Sequence, residues 1–154
     1  MLIFQPPDNP QKILIPLYAS CVRAGFPSPA EDYVEGQLDL NEHLMPRPSS
    51  TFIIRVAPDG DSMVEAGIFP NDLLLVDRSI APVHDAIVVA VVNGELTIKR
   101  LNVQEGAMQL DPANPKYAPI VMSGDMELWC WGVVTWSLRD YTRIGKRRRR
   151  RAAR

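Results

Sequence analysis

Apolar and polar positions fall into short runs of strand length from residue 51 onward, and the texture before that point is different. Phe52–Val56, Leu73–Asp77, Ile87–Val92, Glu95–Leu101, Met108–Asp111 and Leu128–Ser137 are rich in β-branched and aromatic residues and are bounded by turn formers. Asn93-Gly94 separates two of these runs by two residues. That dipeptide suits a type I′ hairpin, which needs positive φ at both central positions. Asp111-Pro112, Asn114-Pro115 and Ser123-Gly124 mark further turns. Strands this short and this closely spaced predict a mainly β, compact antiparallel domain over residues 51–143.

Residues 1–50 hold eight prolines, at 6, 7, 10, 16, 27, 29, 46 and 48. Proline fixes φ and removes a backbone donor, so this stretch forms neither one long helix nor a central strand. It is expected to be an extended N-terminal arm. A short helical piece is expected around Ala30–Gln37, ending near Gly36, with a further turn at Asp39-Leu40-Asn41-Glu42. The arm has no room for the two packed helices of a helix-turn-helix module.

Charge divides the chain a third time. The net charge of −1 conceals a tail, residues 146–154, with seven cations and no acid. What remains over 1–145 is 10 basic against 18 acidic side chains, a net charge of −8. The tail, 144–154, is expected to be disordered in isolation, because like charges repel and nothing apolar is there to bury. Arg147 to Arg151 could neutralise nucleic-acid phosphates, or fold back on the acidic body. An acidic body is not that of a stand-alone nucleic-acid binder. No apolar run reaches the roughly 18–20 residues that span a bilayer, and no signal peptide is expected, so the reading is cytoplasmic with no membrane contact. Cys21 and Cys130 are too few for a disulfide framework and lack metal-ligand spacing, so neither cofactor nor metal is expected.

Candidate chemistry centres on Gly60-Asp61-Ser62-Met63, which lies 37 residues before Lys99. A serine hydroxyl is a weak nucleophile until a base takes its proton. Only His43 and His84 could supply a histidine base, one in the proline-rich arm and one in a turn after Pro82. A lysine does the same work when neutral, which requires burial, since its ordinary pKa is about 10.4. Strand parity places Lys99 on the face of Thr97 and Leu101, opposite Leu96 and Ile98. Glu65 stands where a Ser-x-x-Lys motif has lysine, and Val64 breaks the pattern of a hydrolase nucleophile elbow. Spacing alone therefore leaves Ser62 a turn serine and Lys99 a half-exposed strand lysine as readily as a reacting pair.

The combination nevertheless resembles the UmuD family of SOS-mutagenesis proteins, also known in MucA, RumA and ImpA forms, within the LexA/UmuD self-cleaving serine peptidases. The resemblance covers roughly residues 1–140. It is carried by Ala24-Gly25-Phe26-Pro27-Ser28-Pro29-Ala30, Asp32-Tyr33-Val34-Glu35, Asp39-Leu40-Asn41, Gly60-Asp61-Ser62-Met63, Gly67-Ile68, Asp72-Leu73-Leu74, Val76-Asp77, Gly94-Glu95 and Thr97-Ile98-Lys99. It implies Ser62 as nucleophile, Lys99 as general base, backbone N–H groups of Asp61 and Ser62 as oxyanion donors, and a scissile Ala24–Gly25 bond. It further implies a homodimer, cleavage stimulated by the RecA filament on single-stranded DNA, and a product that joins a UmuC-like translesion polymerase. The arm 1–50 would carry the cleavage site and 51–143 the catalytic and dimerisation functions. The chain departs from the family in Ala24, which replaces a common cysteine, in two extra residues within Val56-Ala57-Pro58-Asp59, and in the arginine tail. A non-cleaving UmuD-like adaptor and a LexA-like repressor are the competing readings. A signal-peptidase-like enzyme is disfavoured by the missing membrane anchor. The tryptophans at 129, 131 and 136 are expected in the core or at a dimer interface.

Overall fold

The Asn93-Gly94 turn sets the register of the central sheet. Asn93 has φ 48° and Gly94 φ 83°, the left-handed values a type I′ turn requires. The turn joins β6 (Ile87–Val92) to β7 (Glu95–Gln104), with Val92 opposite Glu95 and Val88 opposite Lys99. The computed structural model describes residues 3–18, 34–104, 106–121 and 127–143. Within these lie β1 (Ile3–Phe4), β2 (Leu14–Tyr18), β3 (Val34–Asp39), α1 (Leu40–Leu44), β4 (Thr51–Arg55) and β5 (Leu73–Asp77). After β6 and β7 come β8 (Ala107–Asp111), β9 (Ile120–Val121) and β10 (Leu128–Leu138). Eight strands form one sheet in the order β1-β4-β5-β10-β6-β7-β8-β9, and β2 pairs β3 in a separate ribbon. Every pairing is antiparallel. The six strands predicted from residue 51 onward all form, with ends moved by at most three residues.

Two apolar clusters flank this sheet, so β6 reads as a continuous apolar run rather than an alternation. Val89 packs with Ile54, Val56, Met63, Ile68, Leu74 and Val76. Its neighbours Val88 and Ala90 pack with Leu101, Leu110 and Val133 in the second cluster. β10 crosses between them and carries two register shifts, at Cys130/Gly132 and Val134/Trp136. Bulges of this kind bend and twist a strand. At the first one Gly132 lets β5 come close, since a Cβ there would meet Val76 Cγ1 at 2.7 Å and Asp77 O at 3.3 Å. Gly132→Ala is expected to cost about 1–3 kcal/mol by overpacking, read as an earlier denaturation midpoint in urea.

The tryptophans of β10 divide. Trp131 packs against the first cluster, edge-on to Phe52 at 5.2 Å between ring centroids. Trp129 and Trp136 are 50% and 40% exposed, the latter with His43 of α1 beside it.

The arm differs from expectation. Val34–Gln37, read as the end of a helix, belongs to β3, and residues 30–33 lie outside the described residues. The helix-favouring Glu35 and Gln37 are overridden because a partner strand is at hand: Leu14 pairs Asp39, Pro16 pairs Gln37 and Leu17 pairs Gly36. Gly36 weakens the helical alternative, and a two-stranded ribbon leaves an open edge that tolerates Pro16. Asp39-Leu40-Asn41-Glu42 does turn, as the start of α1, with the Asp39 carboxylate accepting from the Asn41 N–H. β1 was not foreseen, and it joins the main sheet by pairing Ile3 with Ile54 and Phe4 with Ile53. Among the described residues no helix is long and apolar enough to cross a membrane.

Candidate active site

Ser62 and Lys99 come from elements that are not neighbours. Ser62 sits in the long connection between β4 and β5, Lys99 in the middle of β7, and β5, β10 and β6 lie between their strands. Flat strands about 4.8 Å apart would hold β4 and β7 roughly 19 Å from each other. The curl of the sheet and the reach of the connection close that gap. Met63 and Ile68, 2% and 3% exposed, drive the connection into the first cluster immediately behind Ser62.

The result is a direct contact. Lys99 Nζ lies 2.9 Å from Ser62 Oγ, 3.0 Å from Thr97 Oγ1 and 3.0 Å from the Ile98 carbonyl oxygen. Strand parity predicted that Thr97 shares the face of Lys99, and the Nζ–Oγ1 contact fits that placement. Lys99 is only 7% exposed, and burial alone pushes its ammonium below the ordinary lysine pKa. Lys99 stands opposite Val88 of β6, and its amine is in contact with Ser62, Thr97 and the Ile98 carbonyl.

The serine loop is also held by residues 113–117. Ala113 N–H donates to the Ser62 carbonyl at 2.8 Å, and Glu65 N–H donates to the Ala113 carbonyl at 2.9 Å. Asn114 Nδ2 donates to the Asp61 carbonyl at 2.8 Å. The Asp61 carboxylate accepts a short hydrogen bond from the Tyr117 hydroxyl and has Lys116 Nζ at 3.9 Å. That hydrogen bond and the nearby negative charge push the Tyr117 phenol above its ordinary pKa. Sequence reasoning missed these residues. Asn114-Pro115 registered only as a turn signal, because nothing in its local pattern reveals a partner 53 positions away.

On the approach to Ser62 the segment 57–60 folds into a turn, with Gly60 N–H donating to the Ala57 carbonyl at 2.9 Å. Gly60 is required by space there, since a Cβ would meet Val56 Cγ1 at 3.0 Å and Ala57 O at 3.2 Å. This turn forms one wall of a cleft of about 740 Å³. Val56, Met63, Ile68, Val89 and Ile98 give it an apolar floor, Arg55 and Glu95 line it with opposite charges, and Ser62 opens onto it. Asp61 N–H, a predicted oxyanion donor, is engaged with the Asp59 carbonyl at 3.0 Å.

Other candidates fall elsewhere. His84 Nδ1 accepts from the Val103 N–H at 3.1 Å and His43 lies tilted against Trp136, and neither lines the cleft. Cys130 is half-buried, its thiol pushed up by burial. Ala24, Gly25, Cys21 and Arg147 to Arg151 lie outside the described residues. Among the described residues no group of three or more His, Cys, Asp or Glu could hold a metal ion.

The chain as a whole, β domain included, has relatives among known proteins. The family described as Peptidase S24-like matches residues 16–135. SamA of Salmonella typhimurium is 41% identical over 135 residues, covering 88% of this chain and 92% of that protein. MucA of Escherichia coli is 40% identical over 128 residues, covering 82% and 86%. The LexA repressor of Carboxydothermus hydrogenoformans is 35% identical over 135 residues, 86% of this chain but 63% of its own length. With the match spanning the serine loop, the lysine strand and most of the β domain, the chain belongs to the Peptidase S24-like family of serine peptidases, among the UmuD-type SOS-mutagenesis proteins.

Proposed function

We propose that the chain cuts itself between Ala24 and Gly25, with Ser62 as nucleophile and Lys99 as general base. The observation that carries this reading is the 2.9 Å contact of a 7% exposed lysine amine with the Ser62 hydroxyl. A neutral amine has two N–H donors and one lone pair. Donation to the Ile98 carbonyl and Thr97 Oγ1 uses both donors and turns the lone pair toward Ser62, which then gives up its hydroxyl proton. Ser62 Oγ attacks the Ala24 carbonyl carbon, and the C=O electron pair moves onto oxygen. Collapse of this intermediate breaks the C–N bond, and the proton held at Lys99 passes to the departing Gly25 amine. Water, deprotonated by the same lysine, then attacks the Ala24 ester carbon, the bond to Ser62 Oγ breaks, and the proton held at Lys99 returns to that oxygen. The Ser62 N–H stabilises the oxyanion, with Asp61 N–H joining once it lets go of the Asp59 carbonyl.

A tethered substrate replaces a bimolecular encounter, so a modest catalyst suffices. The arm 1–50 delivers the bond, the domain 51–143 cuts it and pairs two copies, and Arg147 to Arg151 of the tail contact nucleic acid. The RecA filament on single-stranded DNA favours the arm placement that reaches Ser62, a population shift rather than added catalytic groups. The shortened product then serves as an accessory subunit of an error-prone, UmuC-like translesion polymerase. The relationship to SamA, ImpA and MucA supports this setting.

Incubation of the purified chain at alkaline pH is expected to yield a fragment beginning at Gly25, identified by mass spectrometry. The same fragment is expected near neutral pH with RecA, single-stranded DNA and a nucleotide. No Gly25 start under either condition would leave the chain a non-cleaving adaptor.

A further inference from the structure

We infer that Asn114 is a positioning residue that aims the oxyanion donor, an inference that rests on the Ser62–Lys99 reading. A trans peptide unit is planar, with its C=O and N–H pointing in opposite directions. The Asp61 carbonyl and the Ser62 N–H belong to one such unit. Fixing that oxygen therefore fixes the direction of the N–H on the catalytic serine. Asn114 Nδ2 fixes it at 2.8 Å, from a side chain 7% exposed and so held in place by its surroundings.

The asparagine is itself anchored. Its Oδ1 accepts from the Lys116 N–H at 3.1 Å, and its carbonyl accepts from the Tyr117 N–H at 3.1 Å. The neighbouring Ala113 N–H holds the Ser62 carbonyl, so the peptide units on both sides of the serine Cα are pinned from one short segment. Lys99, on β7, holds the hydroxyl. Base and oxyanion donor are thereby set by different elements, β7 and the 113–117 segment, and can be separated by mutation.

The test is the pH–rate profile of self-cleavage. Asn114→Ala is expected to lower the alkaline plateau about 10- to 100-fold, somewhat less than deleting an oxyanion donor outright. The pH midpoint is expected to stay at the wild-type value, because Lys99 keeps its burial. A purely structural role would instead loosen the loop, hydrate Lys99 and move the midpoint upward. Asn114→Asp, which keeps the acceptor for Lys116 N–H and loses the donor to Asp61, is read on the plateau should the alanine variant fail to fold. On that plateau Lys99 is neutral, whatever the added charge does to its pKa. A plateau within twofold of wild type in a folded variant, or a moved midpoint with an unchanged plateau, would overturn the inference. A wild-type chain that never yields the Gly25 fragment overturns the Ser62–Lys99 reading itself, and this inference with it.

Discussion

Ser62→Ala, Lys99→Ala and Lys99→Arg are each expected to lose at least about 10³-fold in the rate of Gly25 fragment formation at every pH. The arginine variant is the most discriminating of the three. It keeps the positive charge and much of the length, yet a guanidinium stays protonated across the whole working pH range and cannot accept the serine proton. If Lys99 acted only as a charge that holds the loop, Lys99→Arg would still cleave near neutral pH. If it is the base, the variant is inert. Ser62→Ala removes a single oxygen from a half-buried position whose loop stays anchored by Met63, Ile68 and the 113–117 segment. Its far-UV circular dichroism and melting temperature are expected to match wild type. Cleavage surviving in Ser62→Ala would remove the serine from the mechanism altogether.

The β domain was legible because its signals are local. Alternating or continuous apolar runs, turn residues between them and one Asn-Gly dipeptide each carry their meaning within a few positions, and all six strands formed. Val34–Gln37 misled for the opposite reason. Its composition favours a helix, and only Leu14–Tyr18, about twenty residues upstream, makes it a strand. β1 and β9, two residues each, are too short to show a period at all. The site divides in the same way. Ser62 and Lys99 stood out as candidates by their residue types and were assigned roles only by resemblance to a family, and spacing could not say what buries the amine. Asn114, Lys116 and Tyr117 were invisible because their part is played through Asp61, more than fifty residues earlier in the chain. A turn asparagine and a loop-clamping asparagine look alike until the sheet is curled.

Burial of Lys99 ties activity and stability to the same proton. Its folded pKa lies below the unfolded value, so between the two the unfolded chain holds one more proton than the folded chain. Stability therefore rises with pH through that window, by up to about 1.4 kcal/mol per unit, and is lowest below it. Cleavage follows the neutral amine, rising about tenfold per pH unit up to the folded pKa and levelling off above it. Lys99→Met, of similar volume but unable to ionise, separates the two effects. It is expected to be inert and to lack the rise in stability across the window. Comparing the variant with wild type pH by pH cancels the hydrogen bonds to Thr97 and Ile98 that methionine loses at every pH. In urea denaturation series the wild-type curve should climb relative to the Lys99→Met curve, starting at the pH where cleavage reaches its plateau. Parallel curves would mean that the amine keeps its ordinary pKa, and a lysine that stays charged until pH 10 cannot serve as the base.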